Sequence, residues 1–202
     1  MSELLLTASQ KLPTIKYDEM EPEEVAELEV FERGVSIGIF RDQVSDIFLK
    51  TYFLLMKHFG QEGGNLVFQM VLTVLQEGQN DVFKAEVAIF GARSLLDGLD
   101  DDTYTPETLA FVGKLVEFFL SNENARTSFI LAKSAILFIE QAAKILIEFK
   151  QHSSAIVNYL FTVFTSHSRL QVKTLDTLLE LCTYCKYQFS SDVVSAMHSF
   201  LT

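Results

Sequence analysis

The sequence has 202 residues, 49% hydrophobic and 21% charged, with three prolines and nine glycines. That balance excludes a disordered chain and permits long helices. Twenty-seven acids against sixteen lysines and arginines give a net charge of -11. The electrostatic footprint of a nucleic-acid binder is therefore missing, and a basic protein is the better-matched partner.

The chain opens with SELLLTASQKL, which reads as the end of a preceding helix over residues 1–12. It carries neither the basic start nor the long apolar run of a secretory signal. Residues 13–34 read as an acidic linker. Between Asp18 and Glu32 there are eight acids and no base, which suits a solvated loop or a seat for a basic peptide. Pro22 sits well at a first helical position.

From Val35 the pattern is helix and short turn. VSIGIFRDQVSDIFLKTYFLLMKHFG places Phe40, Val44, Ile47, Phe48, Tyr52 and Leu55 at the three-four spacing of one helix face, ending at Gly60. GQEGGN predicts a turn, and no Gly-Lys-Ser/Thr follows to make it a phosphate loop. The next helix is expected over Asn65 to Glu77. Asp81 is placed to cap a third, running to about Leu99. Thr105 is placed to cap a fourth, opened by Pro106, and SNENAR ends it.

A single long helix is expected from Thr127 to Phe149. Its Lys133, Glu140 and Lys144 would be costly in lipid, so no membrane span is expected. Ser153 or Ser154 begins AIVNYLFTVFTSH, SRLQVKTLDTLLELCTYCKYQF is another helix, and Ser190 or Ser191 starts the last. Alternating strand patterns are absent.

These eight helices make four pairs of long and short members. Phe40, Phe83, Ala132 and Val172 hold loosely equivalent places, 43, 49 and 40 residues apart, close to the period of HEAT or armadillo units. The expected fold is all-α, a single α-solenoid of about four HEAT-like helix pairs (35–78, 79–122, 123–166 and 167–202) in a right-handed superhelical stack. Each pair has an apolar face that it cannot bury alone. End faces are then left exposed, and weak self-association follows.

FRDQVSDIF after an acidic stretch, followed by LQEGQNDVFKAEVAIFGARSLLDGLDDD, resembles the middle of importin-β-type nuclear transport receptors, the karyopherin-β family, and above all its transportin-SR group. Glu86, Val87, Ala88, Phe90 and Leu95 carry the match. VEFFLSNENARTSFILAKSAILFIEQAAKIL and VNYLFTVFTSHSRLQVKTLDTLLELC look like the repeats that follow. The likeness spans Lys11 to Thr202 and is diffuse, because most of its positions are packing positions.

The resemblance implies a receptor that grips protein cargo on a curved inner wall under control of the Ran GTPase. It also implies contact with nucleoporins through the rest of the receptor, and shuttling between nucleus and cytoplasm. Family receptors have many repeats and this chain about four, so it reads as a central fragment. Acids near helix ends (Glu77, Asp97, Asp100, Asp101 and Asp102), with Glu117 on an inner helix, are the candidate contacts for a basic cargo.

Exportin-t, a tRNA exporter, shares much of the pattern. That role calls for a basic stripe, which the scattered Lys133, Lys144, Lys150, Arg169, Lys173 and Lys186 do not make. The repeats alone fit a scaffold or adaptor without a transport role equally well.

Catalytic patterns are missing. His58, His152, His167 and His198 stand in no His-Glu-x-x-His arrangement and read as surface or helix-end residues. No nucleophile elbow occurs. Cys182 and Cys185 form C-x-x-C, but no second pair completes a zinc site, and three-residue spacing on a helix fits core thiols. No enzymatic activity, metal or cofactor is expected.

Overall fold

Helix boundaries follow capping chemistry where the signals are local. A computed structural model describes residues 37–99, 104–185 and 189. The Asp81 carboxylate accepts hydrogen bonds from the backbone N–H groups of Phe83 (3.0 Å) and Lys84 (3.2 Å), which satisfies two donors left over at a helix start. Thr105 Oγ1 accepts from the Thr108 N–H at 3.2 Å, with Pro106 in the first turn.

The described chain is all helical, with no strand among the described residues. In order it contains α1 (Ile37–Phe59), α2 (Gln61–Glu77), α3 (Val82–Asp97), α4 (Pro106–Ser121), the single turn α5 (Asn124–Thr127), α6 (Phe129–Gln141), α7 (Ser153–Ser166) and α8 (Gln171–Cys185). Short 3-10 turns lie at Gly78–Asn80, Ile145–Glu148, Lys150–His152 and Ser168–Leu170. The helix end expected over 1–12, the acidic linker at 13–34 and the last expected helix, from Ser190 onward, lie outside the described residues. The chain divides into two compact units, Met1–Gly98 and Leu99–Thr202.

In the first unit α1, α2 and α3 pack against one another. Tyr52 stacks on Phe68 with ring centroids 5.9 Å apart, and the position a Gly63 Cβ would take lies against Leu55. Rising numbers on α1 meet falling numbers on α2, so these helices are antiparallel. Arg41 meets Glu86 and Leu49 lies against Gly98, so α1 and α3 are parallel. The core holds Val44, Phe48, Tyr52, Val67, Phe68, Val71, Leu75, Ala88, Ile89 and Leu95, all buried. Each large apolar side chain so buried contributes about 2 kcal/mol before its ordering entropy is subtracted.

Among the described residues of this unit, one charged side chain lies inside. Glu86 is 2% exposed. Its Oε1 accepts from Arg41 Nη2 at 2.5 Å, and the Arg41 guanidinium lies 4.4 Å from the Phe90 ring centroid. Charge, hydrogen bond and ring contact together offset the cost of burying a carboxylate.

In the second unit α8 packs against both α6 and α7, and α4 packs against α7. Lys173 pairs with Glu140 (2.6 Å), and Cys185 Sγ reaches the Ala143 carbonyl (3.6 Å), so both ends of α8 are tied to the last turn of α6 and the residues just after it. Phe119 sits edge-on to Phe138 (5.4 Å between centroids) and tilted against Tyr159 (6.5 Å). The Tyr159 hydroxyl donates to the Ala125 carbonyl at 2.7 Å, and the Arg126 guanidinium donates to the Leu120 carbonyl. Both bonds fix the α4–α5 corner against its surroundings. Thr174 and Thr177, fully buried, hydrogen-bond back to Leu170 O (2.7 Å) and Lys173 O (3.0 Å) within α8.

Two expectations are corrected. GQEGGN is not a turn: α2 begins at Gln61, immediately after Gly60. Gly60 reverses the chain alone, with φ 59° and ψ -145°, a conformation that only glycine adopts cheaply. Gly63 serves a different purpose, because a Cβ there would stand 2.4 Å from the Leu55 carbonyl oxygen. It lets the two backbones touch.

The long helix expected from Thr127 to Phe149 is also broken. Ser128 is extended, and α6 stops at Gln141. The Ala143 N–H then bonds three residues back, to Glu140 O (3.2 Å). That tightening brings Ala142, Ala143, Ile145 and Leu146 into the core and sends Lys144 out over the Tyr184 ring, 5.9 Å from its centroid. Tertiary packing overrides a helical sequence here.

Arg41→Ala is expected to lower the unfolding free energy by about 3 kcal/mol, because Glu86 stays buried without its guanidinium. Arg41→Lys keeps the charge but not the planar contact with Phe90, and costs about 1 kcal/mol. Urea denaturation reads both. Burial also pushes the Tyr159 phenol far above its ordinary range, against a smaller lowering pull from Arg126. The unfolded phenol ionises near pH 10, so this contribution is complete below about pH 10 and lost as pH rises above it. Tyr159→Phe is expected to cost about 1 kcal/mol at neutral pH and to flatten the alkaline limb of the stability profile.

Candidate protein-binding surface

The acids singled out from the sequence stand on separate ends and faces. Glu77 is the last residue of α2, and its Oε2 pairs with Lys84 Nζ of α3 at 3.1 Å. A carboxylate at a helix C-terminus meets the negative end of the macrodipole, and Lys84 offsets that. Asp97 is the last residue of α3 and is exposed. Glu77 lies beside the start of α3 and Asp97 at its end, roughly 24 Å away along a 16-residue helix. Glu117 is exposed on α4, between buried Val116 and Phe118, and belongs to the other unit. Asp100, Asp101 and Asp102 lie outside the described residues. The three described acids are therefore all exposed to solvent, and Glu77 and Asp97 are not neighbours.

The histidines sit near helix ends. His58 is exposed in the last turn of α1. His152 precedes α7, and His167 follows it. His167 does more than the sequence disclosed: its Nε2 lies 2.8 Å from the Arg126 carbonyl and its ring 6.1 Å from Phe129. His198 lies outside the described residues.

Cys185 is buried and Cys182 half-buried, both as free thiols. Burial pushes both thiols up, and Cys182 raises Cys185 further. A raised thiol is a poor nucleophile and a poor metal ligand at neutral pH. Among the described residues no group of three or more His, Cys, Asp or Glu is placed to hold a metal ion. A small apolar pocket lined by Leu146, Ser153, Ile156, Leu181, Cys185 and Phe189 carries no charged side chain. No described helix is long and apolar enough to cross a membrane.

Sequence reasoning missed the exposed apolar side chains. The apolar row of α1 is not buried throughout: Ile47 is 47% exposed, while Val44, Phe48 and Tyr52 of the same set are buried. Phe53, Leu54, Phe59 and Leu66 are also about half exposed or more, and so are Val172 and Leu179 on α8. The signal was present in the spacing. Ile47 lies one residue off the Val44–Phe48–Tyr52 row, about 100° around the helix from Phe48.

At pH 8, iodoacetamide is expected to alkylate Cys182 several-fold more slowly than a free thiol, and Cys185 only after denaturant is added. Intact-mass spectrometry reads both rates. Comparison of the chain with protein-family models, with curated proteins and with solved structures gives no match.

Proposed function

We propose that this chain is a protein-binding segment of a HEAT-like α-solenoid, part of a nuclear transport receptor of the importin-β type that takes basic protein cargo under Ran control. The observation that carries this reading is the Arg41–Glu86 contact (2.5 Å). It joins FRDQVSDIF to EVAIFGARSL, the two stretches on which the family resemblance rests, across parallel helices two apart in the chain. HEAT-like pairs stack in the same manner, like helix on like helix, each burying a face that its own pair leaves open. The α6–α8 contact supports the reading in the second unit.

In this reading the four helix pairs continue one right-handed stack. The exposed carboxylates of Glu77, Asp97 and Glu117 face solvent where a basic ligand would meet them. Such contacts steer and select a partner more than they tighten it.

The test is capture of an Arg/Ser-rich peptide by this chain, and by a longer native chain containing it, with and without Ran locked to GTP. Binding is expected in low salt, with a loss of about tenfold at 300 mM salt through screening. Glu77→Lys combined with Asp97→Lys is expected to weaken it without unfolding the protein, as both residues are exposed. Cargo capture by the longer chain should change when Ran-GTP is added. If neither chain responds to Ran-GTP, the transport reading falls and a scaffold without a transport role replaces it.

A further inference from the structure

The outer side of α1 carries a pattern that the cargo reading does not use. Arg41 and Leu49 face α3, and Tyr52 and Leu55 face α2. The remaining side presents Ile47, Lys50, Leu54 and Lys57, spaced by three, four and three residues along one stripe. Ile47 is 47% and Leu54 55% exposed, and Lys57 is exposed at the end of the helix. Lys50 makes one ion pair, a long one to Asp46 at 3.5 Å, with both side chains largely in water. Such a pair is worth little. Apolar and cationic groups thus alternate on a solvent-facing stripe of a protein whose net charge is -11.

We propose that this stripe is the seat of the chain's own acidic segment, Asp18 to Glu32, which lies outside the described residues. Three observations select that occupant. Its charge is complementary, with eight acids and no base. Its apolar residues Val25, Leu28 and Phe31 recur every three positions among those acids, as a partner for alternating apolar and basic positions requires. Its tether is also short enough. Four residues, 33–36, separate it from α1, and Lys57 lies twenty residues along the helix, about 30 Å away. Fifteen residues span up to about 50 Å when extended, so the segment can run back along the whole stripe. A tether this short holds the two at an effective concentration near the millimolar range, which makes weak contacts sufficient. The seat does not depend on the transport reading.

The experiment is zero-length carbodiimide cross-linking of the full chain at low micromolar concentration, using an equal mixture of 14N- and 15N-labelled protein. Expected are amide links from Lys50 and Lys57 to carboxylates of Asp18–Glu32, all within single-isotope chains. Their yield should fall at least fivefold in 500 mM NaCl, and again with Leu54→Asp, an exposed substitution whose fold is checked by circular dichroism. Links unchanged by both treatments would mean simple proximity of a tether and would overturn the proposal. So would mixed-isotope links, which would place a second copy on the stripe. Should Leu54→Asp disturb the fold, Lys50→Glu with Lys57→Glu gives the second reading: a Glu-specific protease should cut the segment several-fold faster in that variant. An equal rate overturns the seat.

Discussion

A carboxylate inside an apolar helical core must meet a cation or stay protonated, and Glu86 meets Arg41. The cost of leaving such a group without its charge partner is several kcal/mol, so α1 and α3 are held at one rotation and one register. The guanidinium is fixed twice over, by the Glu86 oxygen at 2.5 Å and by the Phe90 ring at 4.4 Å. These residues come from helices that are not neighbours in the chain. With α1 and α3 set, the slot for α2 is defined, and Val67, Phe68 and Val71 fill it. The second unit uses a related device between α6 and α8. Lys173 and Glu140 are about one-third exposed, so that pair contributes less to stability and more to alignment.

The sequence disclosed some boundaries and hid others for a physical reason. Asp81, Thr105 and Gly60 act on backbone groups within three or four residues of themselves, and a local signal can be read locally. Gly63 and the Gln141–Leu146 break answer to atoms far along the chain. Gly63 is small because the Leu55 carbonyl arrives there. The α6 helix stops where α8 packs, with Cys185 over Ala143 and Tyr184 under Lys144. No propensity scale contains those neighbours.

Surface properties divided in the same manner. That Glu77, Asp97 and Glu117 are exposed was legible from their place between apolar positions. Their distribution over both units and both ends of the α2–α3 hairpin was not, since it depends on where the helices turn. The apolar surplus on α1 and α8 was hidden too. Ile47 and Val172 carry side chains that belong to a core, on faces the described residues leave open. Each has exposed apolar company on its own helix, Leu54 beside Ile47 and Leu179 beside Val172, which sets them apart from apolar residues scattered singly over a surface.

Gly60 carries a kinetic consequence. It joins α1 to α2 through one residue, and four residues from Gly78 to Asp81 join α2 to α3. Contacts beside these two turns therefore close short loops, at small entropic cost. Chains dominated by such near-sequence contacts fold in microseconds to milliseconds. The α1–α2 hairpin, with Tyr52 already facing Phe68 across it, is the natural first structure. The slow step is then the arrival of α3, whose Glu86 must leave water and find Arg41, 45 residues away.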